Sequence, residues 1–218
     1  ALPLFIGSGD GNIYSRVVEH GPRWSQTEPD LVRTHMFSHE GTAWEEIGAT
    51  AWDRATKVQS VVHLGSATVA LGTSINRRGE VINLMFPISE LGLGEPLPLE
   101  GAVRGVELFS ASGTERAAVV VGTDTRRDWN RIVVWGSPDL GVWKHHRIEE
   151  TDRSFVGAVC AGLDRIWILG KRGSGSLASA RAWSSIDGAT WVSSIPAVPG
   201  SDTPEDFTGC AGDGHRVV

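Results

Sequence analysis

A short motif recurs along the chain at nearly constant spacing. Each copy places serine first, an acidic residue two positions later, glycine one or two positions after the acid, and tryptophan six positions after the serine. With a weaker fourth copy at Ser89, the serines are separated by 51, 48 and 48 residues. This regularity predicts a repeat protein with a unit of about 49 residues. The three full copies are Ser38, Glu40, Gly41 and Trp44; Ser137, Asp139, Gly141 and Trp143; and Ser185, Asp187, Gly188 and Trp191.

The segments between the motifs also resemble one another. Two apolar runs are separated by a turn, and the second run ends in a glycine, at Gly72, Gly122 and Gly170. A polar loop, a third run, the motif and a short fourth run follow. Helical periodicity and capped helices are absent, so the pattern predicts four strands per unit and helix content close to nil.

The motif resembles the Asp-box, or bacterial neuraminidase repeat, of β-propellers related to sialidases. Its usual form is Ser-x-Asp-x-Gly-x-Thr-Trp; the copies here contain one-residue contractions, and only Thr190 keeps the threonine. The resemblance covers roughly residues 38–198. It implies an all-β fold, a β-propeller of four-stranded antiparallel blades, with about five blades or, alternatively, part of a seven-bladed propeller. We expect the acid to accept backbone N–H groups, the glycine to adopt positive φ, and the tryptophan to pack between sheets.

A single propeller domain over 1–218 is therefore predicted. Its units are a short one at 29–54 and full ones at 55–102, 103–150 and 151–198, with 1–28 and 199–218 as partial blades. The partial blades either complete each other or belong to a longer protein, in which case another chain or segment would complete the propeller.

Catalysis by the sialidase set is not favoured by these residues. That chemistry needs a Tyr–Glu nucleophile pair, and the one tyrosine is Tyr14. The family's Arg-Ile-Pro element is missing as well. Other glycoside hydrolases need two facing carboxylates. Acids do occur in the connections between units, where they are also typical of solvated loops: Glu149, Glu150, Asp152, Asp202, Glu205 and Asp206.

The loops between second and third strands are basic. Equivalent loops of successive blades lie on one face of a propeller, opposite the Asp-box turns, so we expect a shared rim that binds a partner. Arginine as this protein's ordinary loop residue is the alternative reading. The candidate ligand-binding residues are Arg77, Arg78, Arg126, Arg127, Trp129, Arg131 and Arg172.

These observations favour a non-catalytic binding module for a protein partner or a glycan; the alternative is a glycoside hydrolase of propeller architecture. No catalytic residue, cofactor or metal site is predicted. The adjacent His145 and His146 point to opposite sides of a strand, so they could not share a metal ion. A net charge of −6 does not favour nucleic acid. No apolar run is long enough for membrane insertion. A secreted or cell-surface location is favoured.

The two cysteines, Cys160 and Cys210, occupy matching places in successive units. Innermost strands of neighbouring blades usually stand further apart than the Cα separation of about 7 Å that a disulfide tolerates. We therefore expect both thiols to be reduced and structural.

Overall fold

The computed structural model confirms an all-β chain. It describes residues 4–9, 12–20, 32–40, 43–50, 55–75, 78–99, 105–124, 130–148, 153–162, 164–173 and 178–196, together with Phe207 and Cys210. Within these ranges the regular structure consists of strands, and no helix is long and apolar enough to cross a membrane. The chain divides into two compact units, 1–108 and 109–218.

The first unit contains two antiparallel sheets. In both, consecutive strands are hydrogen-bonded neighbours, and the fourth position of sheet B is split into β8 and β9, which both pair with β7. Sheet A consists of β1 (Leu4–Gly9), β2 (Asn12–His20), β3 (Val32–Glu40) and β4 (Ala43–Ala49). Sheet B consists of β5 (Ala55–Leu64), β6 (Ala67–Ile75), β7 (Val81–Ser89), β8 (Gly92–Leu93) and β9 (Leu97–Pro98).

The second unit repeats this design, except that β10 begins just before the division between the units. Sheet C consists of β10 (Val106–Gly113), β11 (Ala118–Asp124), β12 (Arg131–Ser137) and β13 (Lys144–His146). Sheet D consists of β14 (Ser154–Ala161), β15 (Ile166–Arg172), β16 (Ser179–Ser185) and β17 (Val192–Ser194).

The N-terminal segment differs from its prediction. Instead of a partial blade at 1–28 followed by a short unit at 29–54, one complete four-stranded sheet spans residues 4–49. The strands of sheets B, C and D lie inside the units predicted at 55–102, 103–150 and 151–198. The number of blades stays a prediction.

The repeated glycines at the ends of second strands have a steric cause. The first strands of sheets B and D both contain a register shift. The glycine of the second strand pairs with the last residue before that shift: Gly72 with Val58 and Gly170 with Val156. A Cβ on Gly72 would lie 2.6 Å from the Lys57 carbonyl oxygen, and one on Gly170 would overlap that of Phe155. The bulge brings the two backbones too close for any side chain.

Gly170→Ala is therefore expected to destabilise the protein by about 1–3 kcal/mol, the usual cost of overpacking. Gly141→Ala is the control, because a Cβ there meets nothing closer than 3.5 Å. Urea denaturation of both variants measures the difference. Equal midpoints for the two variants would contradict the steric role of Gly170.

Each unit has its own apolar core between its two sheets. Burial of these side chains is the main force that holds paired sheets together. In the first unit the core is formed by Tyr14, Met36, Val58, Val61, Ala70, Leu84 and Phe86. In the second it is formed by Ala117, Val119, Val121, Ile132, Val134, Ile148, Ile166, Ile168 and Trp183.

The cysteine prediction is wrong, since Cys160 and Cys210 form a disulfide with Cα atoms 5.9 Å apart. Phe207 and Cys210 pack against Ala158, Leu169 and Ala182 of sheet D, a second small cluster of that unit. Phe207 and Cys210 therefore lie directly on sheet D. The prediction relied on the usual spacing of innermost strands, which is larger than the Cα separation of Cys160 and Cys210.

Candidate functional site

The two ends of sheets C and D have different chemistry, and the Asp-box turns occupy one of them. Asp187 Oδ1 accepts hydrogen bonds from the N–H groups of Ala189 (2.9 Å) and Thr190 (2.7 Å) and from the Ser185 hydroxyl (3.0 Å). Trp191 Nε1 donates to the Gly188 carbonyl at 3.2 Å. The carboxylate thus accepts hydrogen bonds from backbone N–H groups for which a tight loop offers no carbonyl partner.

The turn at Asp139 has the same plan. Its Oδ1 accepts from the N–H groups of Gly141 (2.9 Å) and Val142 (3.0 Å) and from the Ser137 hydroxyl (3.2 Å), and Trp143 Nε1 donates to the Leu140 carbonyl at 3.1 Å. These bonds, first that from Val142 and then that from Gly141, lower the pKa of Asp139 from its ordinary value.

The left-handed residue directly follows the acid in both turns. It is Gly188, with φ of +70°, in one turn and the buried Leu140, with φ of 60°, in the other. Gly141, the glycine that the motif aligned with Gly188, instead donates its N–H as Ala189 does. The sequence alignment was therefore shifted by one residue at this glycine.

The copy at 38–44 does not form such a turn. Glu40 pairs with Ala43, so only residues 41–42, which lie outside the described ranges, separate the two strands. Trp44 is 47% exposed and lies edge-on to His39, with ring centroids 4.9 Å apart. The predicted packing of Trp44 between neighbouring sheets is wrong, because a two-residue connection leaves no loop to fold around an acid.

Asp187 should make stability depend on pH. Desolvation would raise its pKa, but the hydrogen bonds from Thr190, Ala189 and Ser185 outweigh it and lower the pKa from 3.8 to about 2. Because the folded pKa is below the unfolded one, this stabilisation is complete above pH 3.8 and lost as the pH falls towards 2. The carboxylate is exposed, so we expect a loss of about 1 kcal/mol.

Urea denaturation of the native protein and of Asp187→Asn at pH 6 and pH 2.5 measures this loss. The native protein should lose more stability than the variant on acidification. Equal losses in both proteins would contradict the role of the Asp187 carboxylate.

The opposite end of the same sheets is mainly basic, although the buried Asp124 at the end of β11 is paired with Arg131 there. There the Ser154 N–H donates to the Asn130 carbonyl at 3.3 Å, and the Gly173 N–H donates to the Arg153 carbonyl at 2.9 Å. These two bonds join the start of β12, the start of β14 and the end of β15. We call this surface the basic rim; its residues are Asn130, Arg131, Arg153, Ser154, Lys171, Arg172 and Gly173.

Arg153 shapes the rim through its backbone. Its φ is 59°, in the left-handed region that residues other than glycine seldom occupy, and it is exposed immediately before β14. Strain of this kind costs of order 1–3 kcal/mol and is concentrated at functional sites. Nearby, Lys171 Nζ lies 5.9 Å from the centre of the Phe155 ring. The Phe155 side chain is 38% exposed. Lys171 and a partly exposed aromatic ring therefore share one surface.

The structure distributes the predicted ligand-binding residues unevenly. Arg131 and Arg172 both belong to the basic rim, and Arg78 is exposed before β7 in the first unit. Sequence reasoning missed Arg153, because it stands in a connection that appeared acidic. The one local feature that could have identified Arg153 is its position immediately before the first strand of sheet D. Outside the described residues lie Arg77, Arg126, Arg127 and Trp129, as well as the loop acids Glu149, Glu150, Asp152, Asp202, Glu205 and Asp206.

No family model and no curated protein matches the chain. Solved structures with similar folds include the Hadza microbial sialidase Hz136, which has 13% identity and a TM-score of 0.54 over 92% of this chain and 45% of that one. Sucrose-6-phosphate hydrolase from Lactobacillus gasseri has 10% identity and a TM-score of 0.56 over 99% and 52%. The chain has a β-propeller fold. The family 117 glycoside hydrolase Zg3597 of Zobellia galactanivorans is also similar, with 10% identity and a TM-score of 0.53 over 88% and 67%.

This propeller chain spans about half the length of the first two of those structures. In propeller terms, sheets C and D are blades, and the basic rim is the end of these blades opposite their Asp-box turns. At these levels of identity the similarity establishes the fold alone.

Proposed function

We propose that this propeller is a binding module that recognises an anionic carbohydrate through the basic rim. The observation that carries the proposal is the meeting of Arg131, Arg153, Arg172 and Lys171 at one end of two adjacent blades. The chain as a whole carries a net charge of −6, so this cluster stands out against an acidic background. A local positive patch on an acidic protein favours the binding of one anionic ligand in a fixed orientation. It does not favour non-specific attraction of anions to the whole surface.

The side chains suit acidic sugars. An arginine guanidinium offers paired N–H donors that match the oxygens of a carboxylate or a sulfate. The partly exposed ring of Phe155 provides an apolar surface beside Lys171, on which the face of a sugar ring can rest. Acidic groups and sugar rings would therefore both find complementary groups on the rim.

A carbohydrate is favoured over a protein partner by the names of the similar structures. A sialidase, a sucrose-6-phosphate hydrolase and a glycoside hydrolase all act on carbohydrates. These names also favour a second candidate, a glycoside hydrolase of the same architecture. Release of reducing sugar from a bound oligosaccharide would support that second candidate, whereas binding without release would support a module that only binds.

Isothermal titration with an oligogalacturonate, a heparin oligosaccharide and an uncharged maltooligosaccharide tests the proposal. We expect an acidic oligosaccharide to bind and the uncharged one not to bind. Arg153→Gly should weaken binding about tenfold or more, the worth of one charge-assisted hydrogen bond. Glycine also suits a φ of 59°, so the melting temperature should not fall.

Lys144→Gln is the matched control, since Lys144 is an exposed cation of β13, which follows the Asp-box turn of sheet C. It removes the same charge and should leave the affinity unchanged. The proposal fails if no acidic oligosaccharide binds, or if both variants bind as the native protein does.

A further inference from the structure

A second basic group in the molecule is buried rather than exposed. Arg16 lies in β2 of the first unit, opposite Met36 of β3, and is only 8% exposed. Side chains two residues apart share one face of a strand, so Arg16 lies on the same face as Tyr14. Tyr14 and Met36 belong to the core between sheets A and B. The Arg16 guanidinium is therefore on the side of sheet A that packs against sheet B.

The guanidinium lacks partners that its neighbours possess. Among the residues that the structure describes, neither Nε nor Nη1 of Arg16 has a hydrogen-bond partner, although both atoms are inaccessible to solvent. Elsewhere between these sheets the Thr34 hydroxyl donates to the Thr56 carbonyl at 2.9 Å, and the Thr56 hydroxyl donates to Ser74 Oγ at 3.2 Å. These two hydroxyl groups have partners, whereas Nε and Nη1 of Arg16 do not.

An unpaired buried guanidinium is costly, because taking a charge out of water without a compensating partner is strongly unfavourable. Burial lowers the pKa of Arg16 through desolvation, but arginine still does not lose its proton at ordinary pH. An anion bound beside Nε and Nη1 would balance this charge and satisfy both donors. In such a dry environment, hydrogen bonds to a charged partner are stronger than in water.

We propose that Arg16 anchors an oxyanion site at the interface of sheets A and B, which takes a small ligand bearing a carboxylate or a phosphate group. The buried side chains of Tyr14 and Met36 would exclude water from the bound group. This site is in the first unit and shares no residue with the basic rim, so it goes beyond the function proposed above.

Thermal unfolding of the whole chain tests the site, with phosphate and acetate as probes and sodium chloride added to keep the ionic strength constant. At about ten times its Kd, a bound anion should raise the Tm by about 3–6 °C. Arg16→Met should abolish this shift. Its Tm without anion should equal or exceed that of the native protein, because the unpaired charge is gone.

Arg116→Gln, a change at an exposed arginine, is the control and should keep the full shift. Arg16→Lys, which retains the charge but not the planar donors, should show a reduced shift and serves if the methionine variant does not fold. Arg153→Gly should respond as the native protein does, which separates this site from the basic rim. The proposal is overturned if neither probe shifts the native Tm, or if the Arg16 variants respond as fully as the native protein.

Discussion

Replacing both Cys160 and Cys210 by alanine is expected to lower the free energy of unfolding by about 4 kcal/mol. The two cysteines are 50 residues apart in sequence, so their bond closes a long loop. Closing such a loop removes much of the conformational freedom of the unfolded chain and so favours the folded state. The bond also holds residue 210 against sheet D, where Cys210 and Phe207 cover Leu169.

Urea denaturation of the oxidised protein and of the double variant measures this loss. Dithiothreitol should lower the midpoint of the native protein to about that of the variant and leave the variant unchanged. Thiol titration under denaturing, non-reducing conditions should find no free thiol. Two free thiols, or a midpoint insensitive to reductant, would contradict the disulfide.

Trp183→Ala is expected to destabilise the protein by about 3–5 kcal/mol, the usual cost of removing a large aromatic side chain from a core. Trp183 lies in β16, fully buried, opposite Ile168, and belongs to the core between sheets C and D. Its Nε1 has no hydrogen-bond partner in the described part of the chain. Trp183→Phe should therefore cost much less than Trp183→Ala, since it removes volume but no hydrogen bond.

Trp44→Ala is the matched control, because that indole is 47% exposed and lies edge-on to the His39 ring. It should cost about 1 kcal/mol or less. Urea denaturation gives the three values. A Trp183→Ala variant no less stable than Trp44→Ala would show that Trp183 is not a core residue.

The repeat predicted the fold where each motif had room to form its turn. Asp139 and Asp187 are separated from their tryptophans by loops that wrap around the carboxylate, and each loop belongs to a four-stranded antiparallel sheet. The N-terminal sheet was misjudged because no motif marks its first two strands. These strands, β1 and β2, are joined by a tight connection, with Gly9 paired to Asn12. The disulfide was misjudged because local sequence does not contain the distance between two strands.

The candidate site could be predicted in part. Arg131 and Arg172 follow from the basic loops between second and third strands, since those loops must lie at the end opposite the Asp-box turns. Arg153 is held beside them by backbone hydrogen bonds between separate segments, which no local pattern encodes. Arg16 resembles any strand arginine in the sequence, and its importance comes from burial against a neighbouring sheet.

Amide hydrogen exchange of the whole chain, with and without a saturating oligogalacturonate, tests most directly whether the basic rim is the binding site. Binding there should slow exchange at residues 130–131, 153–154 and 171–173. Exchange at the Asp-box turns, residues 139–142 and 187–190, should not change, although these turns belong to the same two sheets. Protection at the Asp-box turns with none at the rim, or no protection at either end, would contradict the proposed function.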